Sequence, residues 1–209
     1  HLIICADYSQ IELRIIASLS EDLNMIKAFN EGKDIHLSTA AKVYNIPEDS
    51  VTRRQRSNAK TVNFGIIYGV SAFGLSQQTD LNRIESKEMI DTYYRSYPKL
   101  KEYVSSQIQH ARENGFVSTL LNRRRYLNDI NSQNAVVRGA AERTAINAPI
   151  QGSAADIIKL AMIQIDKKLN EEKLQSRMIL QVHDELVFDV PKEEKDVLSK
   201  IVKEEMENA

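Results

Sequence analysis

The sequence predicts an α+β fold in which a small antiparallel sheet packs on helices and carries a mostly helical insertion. Glycine and proline are scarce, at 7 and 4 of 209 residues, and long stretches show the apolar spacing of helices. Three short apolar segments break that pattern and predict strands: residues 2–6, 178–182 and 186–190. Because three polar residues separate the last two segments, we expect a hairpin there.

Helices are predicted over most of the chain between the first strand and the hairpin. Apolar periodicity and capping residues place them as follows: residues 9–17, 23–30, 35–44, 50–68, 71–79, 86–95, 98–114, 136–147 and 153–170. The segment 153–170 is apolar nearly all round, so we expect it to be buried under the sheet. A final amphipathic helix is predicted after Pro191, with Val197 on its apolar face.

The composition excludes several classes of protein. The 28 basic residues nearly balance 29 acidic ones, which leaves a formal charge of -1 and excludes a tail that binds nucleic acid by bulk charge. At 42% hydrophobic residues, the chain has enough apolar side chains for a core. No stretch approaches the roughly 20 apolar residues that cross a bilayer, so we expect no membrane partner. Cys5 is the only cysteine, which favours a reducing compartment.

Two carboxylates occupy positions suited to a metal ion. Asp7 directly follows the first predicted strand, and Asp184 lies at the tip of the predicted hairpin. Oxygen-rich sites of this kind suit Mg²⁺, and such a pair can hold two ions about 3.5–4 Å apart for an in-line displacement. For either residue alone, a turn-capping role is the favoured alternative.

Four side chains follow each other at four-residue steps within one predicted helix. Arg56, Lys60, Phe64 and Tyr68 therefore lie along one face that runs from cationic to aromatic. Such a face suits a nucleoside triphosphate, because the cations bind phosphate and the rings stack on sugar and base. The alternative is an ordinary amphipathic helix with aromatic core residues. The basic run at residues 123–125 also leaves two interpretations open, a phosphate contact or a solvated surface.

Three longer segments carry a specific resemblance: DYSQIELR at residues 7–14, RSNAKTVNFGIIYG at 56–69 and QVHDELVFDVP at 181–191. In order and spacing they resemble the three polymerase motifs of the family A DNA polymerases, with bacterial members the closest. Intervening stretches such as DIHLSTA and NRRRY also look like that family. The resemblance therefore covers essentially the whole chain.

The resemblance implies a DNA-directed DNA polymerase of replication and repair. A primer 3′-hydroxyl would attack the α-phosphate of a deoxynucleoside triphosphate (dNTP) and release pyrophosphate, with primer–template DNA as the partner. Asp7 and Asp184 would be the catalytic residues that hold two Mg²⁺ ions, with Mn²⁺ able to substitute. The main-chain carbonyl of Tyr8 would complete one metal shell, and Glu185 would be a secondary carboxylate.

The resemblance also implies the substrate contacts. Those to the dNTP would come from Ser9, Gln10, Glu12, His36, Arg56, Lys60, Phe64 and Tyr68. Those to the template and primer would come from Arg143, Asn147, Gln151 and His183. Glu12 with Tyr68 would exclude a ribose 2′-hydroxyl. A Phe at position 64 resembles members that discriminate against dideoxynucleotides.

The implied architecture is a palm and fingers: palm over residues 1–28 and 147–209, and fingers over 29–146. The chain opens on His1 in a strand and stops at Ala209 without a cap, so we expect a piece of a longer bacterial, cytoplasmic protein. The thumb, the upstream nuclease domains and the last palm segment would lie outside it.

Two other functions stay open on the sequence. The first is a module that only binds nucleotide or DNA, because a missing thumb removes phosphate contacts. The second is a single-subunit RNA polymerase, which shares the palm chemistry, but Glu12 argues against it.

Overall fold

The computed structural model describes residues 1–209, which fold as two compact units. The first unit contains His1–Ile11 and Gln151–Ala209, and the second contains Glu12–Ile150. We call them the first and second unit below. The predicted palm and fingers boundaries at residues 28 and 146 stay predictions.

The chain forms nine α-helices and five strands. In chain order they are β1 Leu2–Asp7, α1 Ile11–Ser20, α2 Leu23–Asn30, α3 Ile35–Tyr44, α4 Arg53–Ile67, α5 Ala72–Ser76, α6 Arg83–Ser96, α7 Pro98–Asn114, β2 Phe116–Ser118, β3 Arg124–Tyr126, α8 Ala135–Glu171, β4 Arg177–Val182, β5 Glu185–Val190 and α9 Lys195–Glu207. The predicted α+β class is confirmed. None of the helices combines the length and apolar content needed to cross a membrane.

The first unit is built on the three predicted strands, which form one antiparallel sheet in the order β1-β5-β4. The register of β1 on β5 runs from Leu2 opposite Val190 to Asp7 opposite Glu185. The turn between β4 and β5 has two residues rather than three, because pairing on both sides continues to Glu185. Asp184 lies in that turn, as predicted.

The core of the first unit lies between this sheet and two helices. The buried cluster consists of Ile158, Ala161, Ile165, Leu169, Leu186, Phe188, Val190, Leu198, Val202 and Met206. One face of α8 thus covers the sheet, as predicted for the 153–170 segment, but the segment is not buried on all sides. The opposite face is exposed at Ile163, and Val197 of α9 is also exposed, at 48%, which corrects its place on the apolar face.

The second unit is mainly helical, and α3 packs on α4 within it. Asp34 caps α3 by accepting hydrogen bonds from two main-chain amides, and Asn45 ends the helix in the left-handed region at φ 53°. Thr52 and Gln55 form a reciprocal capping box at the start of α4. The box explains why α4 begins at Arg53 and not at residue 50.

Helix α8 corrects the prediction of two separate helices at 136–147 and 153–170. It continues through Pro149, although an internal proline costs a helix about 3 kcal/mol. The apolar face is uninterrupted across that position, since Ala145, Ile146 and Ile150 are all buried. Tertiary packing therefore outweighs the local breaking signal.

Strands β2 and β3 were not predicted from the sequence. They are only three residues long and form an antiparallel pair in which Val117 lies opposite Arg125. The guanidinium of Arg124 lies 4.4 Å from the centre of the Phe116 ring. The basic run therefore sits on an exposed hairpin, where a cation over an aromatic ring stabilises one of its arginines.

Phe188→Ala tests the core of the first unit. The side chain is fully buried between sheet and helices, so we expect its removal to lower the free energy of unfolding by about 3–5 kcal/mol. Urea denaturation measures this change. Ile179→Ala is the matched control, because Ile179 is 53% exposed on the same sheet and should change stability by about 0.5 kcal/mol or less. Equal losses in the two variants would contradict the assigned core.

Candidate active site

The two carboxylates singled out by sequence come from neighbouring chain segments of the first unit. Strand β1 ends at Asp7, whose register partner is Glu185 at the start of β5. The amide of Tyr8 then donates to the carbonyl of Asp184 at 3.2 Å. The residues after Asp7 and before Glu185 are thus held together by the main chain.

The electrostatics of this strand end show that negative charge is concentrated there. The pKa of Asp7 is raised above its ordinary value of 3.8 by partial burial first, then by the charges of Asp184 and Glu185. No cationic side chain is among these influences. A hydrogen bond to Glu185 is likewise the main cause of the raised pKa of the Cys5 thiol. Carboxylates repel one another here without a compensating positive charge.

This donor set fits a divalent cation of the oxygen-binding kind. Asp7 and Asp184 offer hard carboxylate oxygens, and the cluster has no positive charge of its own. No group of three or more His, Cys, Asp and Glu side chains in the chain is arranged to hold a metal by itself. Mg²⁺ commonly binds one or two carboxylates and completes its shell with water and substrate phosphate. The pair matches that mode of binding.

Tyr8 is fixed by its own side chain. Its hydroxyl donates to the carbonyl of Met206 at 2.7 Å, near the end of α9. Burial raises the pKa of the phenol to about 12, so it stays a donor at any physiological pH. The main chain that follows Asp7 is therefore anchored on both sides, by Asp184 and by α9.

The cationic and aromatic residues of α4 lie in the second unit. Lys60, Phe64 and Tyr68 line a cavity of about 690 Å³ together with Arg143 of α8. Arg56 does not line this cavity. The structure thus brings three of these four predicted residues, Lys60, Phe64 and Tyr68, together with one predicted DNA contact, Arg143.

Arg56 forms an ion pair with Asp34, a residue that was not among the predicted site residues. Its Nε and one terminal nitrogen lie 2.8 and 2.7 Å from the Oδ2 atom of Asp34. The other oxygen of Asp34 accepts from the amides of His36 and Leu37. Burial alone would raise the pKa of Asp34, but Arg56 and these amides lower it. An Asp directly before a predicted helix is a capping signal that could have indicated it.

His36 is buried beside this pair, at 3% exposure. Its Nδ1 atom lies 2.9 Å from the side-chain nitrogen of Asn63 on α4. Its ring centre lies 5.8 Å from that of Phe64. Burial lowers the pKa of His36, and the charges of Arg56 and Lys60 lower it further against the opposing effect of Asp34. The ring is therefore neutral at pH 7.

Glu12 and Tyr68 are joined directly. The hydroxyl of Tyr68 donates to the Glu12 carboxylate at 2.9 Å. The contact links the start of α1 to the residue that ends α4. The phenol of Tyr68 therefore fixes the carboxylate of Glu12, and these are the two residues assigned to sugar selection.

Arg143 and Asn147 pack against the end of α4. Gly69 has φ 63°, and a Cβ there would lie 2.9 Å from Cγ of Arg143. With its amide oriented for hydrogen bonding, Asn147 donates to the carbonyls of Arg143 and Ile67. The left-handed turn and the close approach together explain a glycine at position 69.

The remaining predicted site residues belong to the first unit. Ser9, Gln151 and His183 are exposed, and Gln10 is partly exposed. Gln10 and His183 both have positive φ, at 57° and 54°. The carbonyl of His183 accepts from the side chain of Gln181 at 2.9 Å. Their contacts to substrate stay predictions.

Comparison with known proteins decides the family. The sequence model that describes DNA polymerase family A matches residues 1–209 of the chain. The chain belongs to DNA polymerase family A. Members of this family use divalent metal ions, in agreement with the carboxylate pair.

Individual relatives are bacterial. The chain is 56% identical over 209 residues to DNA polymerase I of Caldicellulosiruptor bescii, covering all of this chain and 25% of that protein. It is 53% identical over 208 residues to DNA polymerase I of Geobacillus stearothermophilus, covering 100% of this chain and 24% of that protein. The chain thus spans about a quarter of the length of these relatives.

A solved structure shares the fold. The POL domain of Pol1 from M. smegmatis, in complex with DNA primer-template and dNTP, matches with a TM-score of 0.95 and 46% identity. The match covers 99% of this chain and 36% of that chain.

Asp184→Asn tests the carboxylate cluster without any substrate. Because the charge of Asp184 raises the pKa of Asp7, we expect that pKa to fall toward its ordinary value in the variant. A raised pKa means that the folded protein binds this proton more tightly than the unfolded one, so the stability it contributes is lost as pH rises through the folded pKa. The variant should therefore be more stable than the wild type at pH 7 with chelator present.

Carboxyl NMR titration of Asp7 and urea unfolding measure the two effects. Asp189→Asn is the control, since Asp189 lies on the same sheet but its carboxylate contacts His1 at 2.9 Å. An equal change in the pKa of Asp7 in both variants would contradict the assigned carboxylate cluster.

Proposed function

We propose that this chain forms the catalytic core of a DNA-directed DNA polymerase that adds dNTPs to a primer 3′-end. The observation that carries the proposal is the pair of carboxylates at hydrogen-bonded strand ends, with the pKa of Asp7 raised by Asp184. Family membership supports the same reaction. The partners would be primer–template DNA and dNTP, which are the molecules named in the M. smegmatis complex.

Asp7 and Asp184 would hold two Mg²⁺ ions, with the main-chain carbonyl of Tyr8 as a further ligand. Mn²⁺ would be able to replace Mg²⁺. When bound, the ions would lower the pKa of the attacking 3′-hydroxyl and stabilise the leaving pyrophosphate oxygen. The role of the chain is to keep the ligand oxygens in place. The hydrogen bonds of Tyr8 to Asp184 and Met206 support that role, because they immobilise the main chain beside Asp7.

The second unit would bind the nucleotide. Arg56, Lys60 and His36 would contact the β- and γ-phosphates, and the Phe64 ring would stack on the nucleoside. The exposed Lys60 is suited to phosphate as a point charge. Arg56 is partly exposed and already held by Asp34 through one of its faces. A guanidinium held in this way loses less conformational freedom on binding than a free one.

Ser9 and Gln10 would face the triphosphate through their main chain. Contacts to template and primer would come from Arg143, Asn147, Gln151 and His183. Arg143 supports this assignment, because it is exposed beside the cavity that Phe64 and Tyr68 line.

We further propose that the parent protein is a bacterial DNA polymerase I of the cytoplasm, acting in replication and repair. The bacterial relatives, each about four times longer than this chain, support that proposal. A thumb and upstream nuclease domains would then belong to the same protein. The thumb would hold the duplex.

Asp7→Asn and Asp184→Asn test the two-metal assignment in primer extension with the full-length protein. We expect each to lower kcat by more than about 10²-fold, because losing a metal ligand costs more than losing a residue that merely orients one. Asp189→Asn, on the same sheet, should extend primers at the wild-type rate.

The rival function, a module that only binds, gives a different pattern. The wild type would then bind dNTP without extending a primer, and the two Asp variants would change nothing beyond metal affinity. Wild-type extension rates in either Asp variant would overturn the catalytic assignment.

Glu12→Ala tests sugar selection. Because the Glu12 carboxylate is fixed by the Tyr68 hydroxyl, its loss should open space at the sugar and raise ribonucleotide use about 10- to 100-fold relative to dNTP. The ratio of kcat/KM for the two sugars measures this. Tyr68→Phe should give a smaller increase, since it frees the carboxylate but keeps the ring. Glu88→Ala, on the exposed face of α6, is the control. Unchanged sugar selectivity in Glu12→Ala would contradict the role of Glu12 in excluding the ribose 2′-hydroxyl.

A further inference from the structure

A chain of buried polar side chains runs from the end of α6 to His36 within the second unit. The Tyr97 hydroxyl lies 3.2 Å from Oγ1 of Thr39. Thr39 Oγ1 lies 3.1 Å from Oδ1 of Asn63. The Asn63 amide nitrogen lies 2.9 Å from Nδ1 of His36. Tyr97, Thr39 and Asn63 are each 0% exposed, so bulk solvent does not reach their polar groups. We call these three residues the relay.

The chemistry of the donors gives the relay a single direction. An amide NH₂ only donates, so Nδ1 of His36 accepts and carries no proton. The one hydroxyl hydrogen of Thr39 is donated to the carbonyl oxygen of Asn63. Tyr97 must therefore be the donor to Thr39.

The reverse direction leaves a buried group without a partner. If the Asn63 amide were turned round, His36 Nδ1–H would donate to it and Thr39 would donate to Tyr97. The phenolic hydrogen of Tyr97 would then have no acceptor, because Thr39 is its only hydrogen-bonding neighbour. An unmade hydrogen bond on a buried donor is costly. The hydroxyl hydrogens thus fix the direction of the whole relay, because each of them has an acceptor only when Thr39 donates to Asn63.

The other ring nitrogen of His36 remains available. It makes no hydrogen bond, yet the only buried side-chain polar atom without a partner in the chain is Oγ of Ser86. Nε2 of His36 is therefore in contact with solvent, although the residue as a whole is 3% exposed. With Nδ1 unprotonated, Nε2 carries the proton and points a neutral donor out of the α3–α4 interface.

We propose that Thr39 and Asn63, with Tyr97 hydrogen-bonded behind them, are positioning residues that fix His36 as an Nε2–H donor, the form in which the ring donates a hydrogen bond to a phosphate oxygen of the incoming nucleotide. The inference rests on the proposed function, since it deepens the role of His36 there. A neutral, fixed donor adds a directed hydrogen bond beside two positive charges, Arg56 and Lys60, without the cost of burying a charge on the His36 ring.

Charged groups around His36 act together with the relay. Arg56 and Lys60 disfavour the protonated ring, and Asp34 favours it. The relay disfavours it too, because a proton on Nδ1 would face the Asn63 NH₂ group. Turning the amide round removes that conflict, so a relay without the Thr39 hydroxyl should let His36 take up a proton at higher pH.

Thr39→Val tests the relay, because it removes the buried hydroxyl that donates to Asn63 and that contacts neither His36 nor any proposed substrate group. Nitrogen-15 NMR of the histidines, with His36 assigned by His36→Gln, should show Nε2 protonated and Nδ1 unprotonated in the full-length wild type at pH 7. In Thr39→Val we expect signals of both tautomers and a higher pKa for His36. Thr39→Ser should keep the wild-type spectrum. Tyr97→Phe should keep it too, because the Thr39 hydroxyl can still donate to Asn63.

Tyr103→Phe is a further control, because Tyr103 is a buried tyrosine of α7 outside the relay. It should leave the His36 spectrum unchanged. If only half of the molecules hold the competent tautomer in Thr39→Val, the KM for dNTP should rise about twofold with kcat nearly unchanged. This split separates positioning from general loss of stability.

Each outcome decides one step. A protonated Nδ1 in the wild type, or a Thr39→Val spectrum identical to that of Thr39→Ser, overturns the relay whatever the protein's function. A spectrum that responds while the KM for dNTP does not overturns the phosphate contact of His36. Primer extension by the wild type is scored separately, so failure of the polymerase proposal is not confused with either result.

Discussion

The register of β1 on β5 is the constraint on which the site depends. Leu2, Ile4 and Ala6 turn toward the core, so period two places Asp7 on the opposite, exposed face. A slip of one residue would bury the carboxylate and expose the apolar set. Hydrophobic burial, which has no chemical role itself, thus holds Asp7 next to the turn that contains Asp184.

In the second unit, hydrogen bonds rather than strand register hold the predicted site residues in place. Helices α3 and α4 pack through a partly polar interface that contains Thr39, Asn63 and His36, which are joined by hydrogen bonds. Asp34 serves two purposes, since one oxygen caps α3 and the other orients Arg56. Asn63 likewise serves two purposes, since it is a buried residue of α4 and its side chain is hydrogen-bonded to Nδ1 of His36. Residues that stabilise the interface therefore also fix the groups assigned to phosphate binding.

Sequence was informative where local signals and tertiary packing agree. The bounds of α2, α3 and α7 match their capping signals, and the strand before Asp7 was visible in its apolar run. It failed at Pro149, where packing of a long apolar face outweighs a local signal, and at β2–β3, where three-residue strands carry almost no periodicity. Asn63 could not be found at all, because its partners lie 24 and 27 residues away along the chain.

The two kinds of site respond differently to change, for a physical reason. The carboxylate cluster is a charge excess that costs stability in the absence of a cation, so metal binding relieves a repulsion that already exists. The relay has no net charge and every member is satisfied, so it stabilises the fold before any ligand arrives. A substitution in the first can raise stability while removing chemistry. A substitution in the second affects packing and ligand orientation together, which is why the tautomer of His36, rather than activity alone, separates these effects.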